Sequence, residues 1–183
     1  FPLHRFRVAN EQWPLVQVGI GVVTINETEK YVWGEFSTRV MKVIKQIIES
    51  HSQKGKIKIN SIALKYIDAL ELNIESENIY SFLKDKLNIG ININPHLITD
   101  SFLPAVPCDF NMSVSYQLKT SDILNFKILR GQARNHQNSS VMEALILETT
   151  IVSANNVHFV STEESVSEWL EQAHKIAHNW FFT

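Results

Sequence analysis

The stretch STEESVSEWLEQAHKIAHNWFF, from Ser161 to Phe182, constrains the fold more than any other. Val166, Trp169, Leu170, Ala173, Ile176, Ala177, Trp180 and Phe181 recur at i, i+3, i+4 and i+7, the period of a helix with one apolar side. That stripe is broader than the seam between two helices, so it needs a sheet to lie on. Ser161 with Glu164 three residues later forms a capping-box pattern, and Glu163 and Glu164 suit the positive end of the helix dipole. The rest of the chain therefore has to supply a sheet with an apolar face.

The clearest source is the last third. Met112, Val114, Tyr116 and Leu118 alternate with Ser113, Ser115, Gln117 and Lys119, the pattern of a strand with one wet face. After a turn at Thr120-Ser121-Asp122, Leu124, Phe126 and Ile128 alternate again, and a polar tip over 135–140 leads into a long strand, Val141 to Val152. Ala144 to Leu147 are expected to be buried on both faces.

Upstream, LVQVGIGVVTI (Leu15 to Ile25) reads as one strand, with Val16, Val18, Ile20 and Val22 on one face and Gln17, Gly19 and Gly21 on the other. Two glycines inside a strand imply a bulge or a close neighbour, either a tightly packed helix or a ligand. A helix capped by Asn26 follows, its stripe formed by Val32, Phe36, Val40, Val43, Ile44 and Ile47, and it ends near Glu49. Ile57 to Leu72 reads as a strand, and Ser76 caps a short helix carrying Ile79, Phe82, Leu83 and Leu87. Residues 1–14 read as irregular, with one short edge strand at Phe6 to Val8. The order is β-α-β-α-β-β-β-α. This predicts an α+β fold with about five strands in a mixed or mainly antiparallel sheet, the long C-terminal helix packed on it, in a single domain over 1–183.

Composition narrows the function classes. With 183 residues, 44% hydrophobic and 20% charged, the chain suits one globular domain. A net charge of −2 without a basic cluster argues against nucleic acid as a partner. No apolar run reaches the length of a membrane span and no signal-peptide pattern opens the chain, so no membrane role and a cytoplasmic location are expected. Cys108 is the sole cysteine, which excludes an intrachain disulfide and fits a reducing compartment. It has no sequence-local histidine or cation, so it reads as a buried, inert thiol. A start at Phe1-Pro2 without methionine and a stop at Thr183 directly after a helix read as a fragment of a longer polypeptide.

Candidate chemistry is sparse. His174 and His178 lie four apart on the last helix with Glu171 one turn earlier, so Glu171, His174 and His178 offer a three-ligand metal set or an acid–base group. Lys175, however, occupies the position where an HExxH metalloprotease has its glutamate, and boundary histidines bonded to a loop or strand are the alternative. No metal is assigned. Asp68, Glu143 and Glu148 become paired carboxylates if neighbouring strands align them. Lys127, Arg130 and Arg134 give their strand a basic side or a solvated face. Residues 88–110, with His96, Asp100, Cys108 and Asp109, form either a lid over a pocket or an apolar strap along the sheet, the strap being preferred. There is no Gly-rich strand-to-helix turn, P-loop or G-x-S-x-G, so no cofactor is expected. The candidate ligand contacts are Gly19, Gly21, Glu171, His174 and His178.

LVQVGIGVVTIN (Leu15 to Asn26) with Tyr31, Trp33 and Phe36, then LKYID (Leu64 to Asp68), then WLEQAH (Trp169 to His174) with Phe181, resembles a sporadically distributed family of uncharacterised prokaryotic proteins. The resemblance covers about Leu15 to Phe181. It implies an additional N-terminal α/β portion and a mobile or defence-associated setting, but no catalytic residues. Position 68 departs from the pattern, with aspartate where the family has asparagine.

Together these readings favour a non-catalytic domain, regulatory or defence-associated, that binds a small ligand or a protein partner. The alternatives are a metal-dependent or acid–base enzyme using Glu171, His174 and His178, and a subunit of a structural homo-oligomer with its interface at the glycine strand or the 88–110 segment.

Overall fold

The β-strands form two separate antiparallel sheets, one of three strands and one of four, in place of the single five-stranded sheet expected from the sequence. The computed structural model describes residues 2–9, 12–28, 31–51, 57–73, 78–94, 96, 107–134, 140–154 and 163–182. The α+β class holds, and the chain divides into two compact units: Phe1–Asn60 with Val157–Lys175, and Ser61–Asn156 with Ile176–Thr183.

In the first unit the strands β1 (Pro2–Arg7), β2 (Leu15–Gly19) and β3 (Val22–Asn26) lie side by side in that order. The run from Leu15 to Ile25 is thus a hairpin and not one strand. Its cause is Gly21, whose φ of 69° lies in the left-handed region that side chains disfavour. Val22 folds back onto Gly19, Val23 onto Val18 and Ile25 onto Val16. A side chain built on Gly21 would meet nothing within 4 Å, so the turn, not a close neighbour, requires this glycine. Asn26 ends β3 and does not cap a helix: its amide donates to Gln17 Oε1 at 3.5 Å, as does the Thr24 hydroxyl at 3.2 Å.

Helix α1 (Trp33–Ser50) starts six residues later than expected, behind Val32 in place of Asn26, and Val32 offers no side-chain cap. Its 18 residues span about 27 Å, and Val40 is its buried contribution to the core.

The second unit follows the predicted meander. Its strands β4 (Ala63–Glu71), β5 (Asn111–Gln117), β6 (Ile123–Arg134) and β7 (Val141–Val152) are ordered β4-β7-β6-β5. The expected strand from Ile57 begins only at Ala63, where the ladder with β7 starts. Register puts Leu64, Ile151 and Leu124 in one row, then Tyr66, Thr149 and Phe126, then Asp68, Leu147 and Ile128. That face is the core of this unit: Leu64, Leu124, Phe126, Ile128, Leu147 and Ile151 are all buried. Ala144 and Leu145 are buried too, whereas Ile146 keeps partial exposure, so the expected double-sided burial falls short at one position.

Between β4 and β5 lies helix α2 (Ile79–Leu87). Asn78 caps it, its side chain accepting from the Tyr80 and Ser81 amides, while the expected cap Ser76 lies outside the described residues. Asn88, at φ 54°, closes the other end, with the Ile89 amide donating to Leu83 O.

The last helix, α3 (Glu163–Phe182), is the longest, as its stripe predicts. Val166, Trp169, Leu170, Ala173 and Ala177 are buried, but Trp180 is 42% exposed. Ser161 lies outside the described residues, as do residues 95 and 97–106 of the 88–110 segment and the tip at 135–139.

Candidate functional site

The residues with most chemical promise in the sequence meet in the first unit, around Trp33. This residue opens α1, and its indole Nε1 donates to both carboxylate oxygens of Glu171 at 3.0 and 3.1 Å. Its ring lies flat on the His174 imidazole, with centroids 3.9 Å apart and planes 10° from parallel. Phe36, one turn along α1, tilts against Trp33 at 6.2 Å, and Tyr31 against Phe36 at 5.7 Å. The i, i+3 spacing of Glu171 and His174 lets one indole engage both.

This arrangement ties the carboxylate to a donor and covers one face of the imidazole. His178, a further turn on, is exposed. Among the described residues no group of three histidine, cysteine, aspartate or glutamate side chains is placed to hold a metal ion, so Glu171, His174 and His178 do not form a three-ligand set. Sequence reasoning missed Trp33 as their partner because 138 residues separate it from Glu171. Gly19 and Gly21 belong to the β2–β3 hairpin, and the Gly21 turn accounts for that glycine without a ligand.

The three carboxylates that strand alignment was to pair go separate ways. Glu148 binds Lys65 Nζ at 2.8 Å on one face of the sheet. Glu143 accepts from Arg130 Nε and Gln132 Nε2, each at 3.3 Å. Those hydrogen bonds, from Gln132 and then Arg130, hold its carboxyl below the usual range. Asp68 stands opposite Leu147, and although the residue is exposed, desolvation pushes its carboxyl above the usual value.

The basic side expected of Lys127, Arg130 and Arg134 is split, because alternation sends Lys127 to one face and Arg130 and Arg134 to the other. Arg130 is a clamp: its guanidinium also donates to the Pro107 and Cys108 carbonyls at 2.7 and 3.3 Å, fixing the lead-in to β5. Cys108 itself is exposed, which corrects the expectation of a buried thiol. It lies in the lead-in 107–110, ahead of β5, a stretch that contributes no buried residue.

A depression of about 420 Å³ runs along α1, lined by Gly34, Glu35, Thr38, Arg39 and Lys42, and open to solvent. Arg39 there is paired with Glu27. Large apolar side chains are instead displayed outward. In the first unit Leu3, Phe6, Val8 and Ile20 are 58–90% exposed. In the second, Val114 and Tyr116 of β5 are 36% and 47% exposed, and Trp180 of α3 stacks its edge among them, 5.5 Å from Tyr116 and 5.6 Å from Phe126. Among the described residues no helix is long and apolar enough to cross a membrane.

A scan against family models and searches of curated proteins and of solved structures found no match to this chain.

Proposed function

We propose that the chain is a non-catalytic binding domain whose ligand is a protein. The observation that carries this reading is the aromatic strip of the second unit, where Tyr116 and Trp180 pack on each other yet remain 47% and 42% exposed beside Val114. Tyr and Trp are the side chains most enriched at the centres of protein interfaces, because they bring large rigid area at little entropic cost. The acid–base alternative loses its best groups, since Glu171 and His174 are occupied by Trp33. The regulatory or defence-linked setting implied by the family resemblance suits such a domain.

The test is affinity capture from cells of the source organism, comparing the wild type with Tyr116→Ser/Trp180→Ser. A protein held stoichiometrically by the wild type and lost by more than about tenfold in the variant, with an unchanged circular dichroism spectrum, supports the reading. Equal capture by both, or none by either, removes it.

A further inference from the structure

Strand β5 is an edge: among the described residues it pairs with β6 alone. Edges with open N–H and C=O groups template pairing with other chains, and proteins usually protect them with lysine, proline or a bulge. Two of the other three edges, β4 and β1, show such devices. β4 carries Lys65, Asp68 and Glu71, and β1 carries Pro2, Arg5 and Arg7 with a register shift between Pro2 and His4. β5 is seven residues, NMSVSYQ, with no charge, no proline and an unbroken register from Asn111 opposite Leu129 to Gln117 opposite Ile123.

Its polarity pattern is also symmetric about Val114. Antiparallel pairing of two copies around that residue sets Val114 on Val114, Met112 of one copy on Tyr116 of the other, Ser113 on Ser115, and Asn111 on Gln117. Every apolar side chain meets an apolar one on one face, and hydroxyls and amides meet their like on the other. β3 is also uncharged, but the same operation about Thr24 sets Val22 against Asn26, and Thr24 and Asn26 already bind Gln17. A pattern that matches itself under a two-fold axis points to a second copy, since an unrelated strand would demand no such symmetry.

We infer that two copies of this chain pair through β5, joining two four-stranded sheets into one continuous antiparallel sheet. This rests on the protein-binding reading and names the partner. The joined strands place the two Tyr116–Trp180 strips on one face, each alongside the other copy's Met112.

Light scattering on the purified chain over roughly 1 to 200 µM should show the mass rising from 21.0 kDa towards twice that value. Ser113→Lys/Ser115→Lys sets lysines opposite lysines and should stay monomeric, as should Ser113→Glu/Ser115→Glu. An equimolar mixture of the two should regain the dimer mass, which a folding defect would not allow. Hydrogen exchange at the β5 amides of the wild type should slow as concentration rises. A wild type that is monomeric throughout, a dimer that survives in the lysine variant, or β5 exchange independent of concentration overturns the inference. A monomer that still captures a different protein through Tyr116 and Trp180 overturns the second copy as partner and leaves the broader reading standing.

Discussion

Thr149 sits at the centre of the second unit's core, fully buried between Tyr66 and Phe126 in its row, and its hydroxyl has no hydrogen-bond partner among the described residues. A buried hydroxyl without a partner costs about 1 kcal/mol or more, and valine has nearly the same shape. Thr149→Val is therefore expected to raise stability by about 1 kcal/mol in urea denaturation; a loss would mean that the hydroxyl is satisfied after all. Glu143 makes a pH prediction. Its folded pKa lies below the ordinary 4.5, so its bonds to Gln132 and Arg130 stabilise the fold above pH 4.5 and are lost as pH falls through the lower folded value. Glu143→Gln should flatten the acid limb of a stability–pH curve and leave its slope above pH 6 unchanged. Asp68 works with the opposite sign. Raised above 3.8, it favours the fold at acid pH and weakens it as pH rises through its folded value. Neither shift was legible in the sequence, because both depend on which residues the register places alongside.

At the scale of elements, the Trp33 clamp matters most. Helix α1 begins at a valine that cannot cap it, and the tie from Trp33 to Glu171 and His174 on α3 fixes that end instead. Trp33→Phe keeps a ring over the imidazole and loses the N–H donor; Trp33→Ala loses both. Stability should fall in that order, by about 1 and about 2–3 kcal/mol in chemical denaturation. Equal losses would show that stacking contributes nothing. The long elements were readable, because β6, β7 and α3 each carry a sustained period of 2 or 3.6. The hairpin was not. Val16, Val18, Ile20 and Val22 keep even spacing through the turn, yet the turn puts Val22 beside Gly19 and shifts Val23 to the side of Val18. A single left-handed glycine overrode the alternation, and the tell-tale was the Ile20-Gly21 pair.

For the molecule as a whole, class and element order in the second half followed from the sequence, while the partition into two sheets did not. Periodicity says which side of a strand is apolar, but not which other strand it will pair with; β4 pairs with β7, more than 70 residues away, and β2 with its immediate neighbours. The candidate site was half legible for the same reason: Glu171 and His174 share a helix face, and Trp33 reaches them only through the fold. The exposed thiol of Cys108 carries a consequence for redox behaviour. With one cysteine in the chain, any disulfide it forms links it to another molecule, and air-exposed preparations should accumulate a disulfide-bridged species. Arg130 holds Cys108 at the Asn111 end of β5, so strand pairing about Val114 sends the two sulfurs to opposite ends of the joined edge, beyond the reach of a disulfide. A covalent dimer formed in air and a strand-paired dimer are therefore distinct assemblies, and a reducing agent separates them in a single gel.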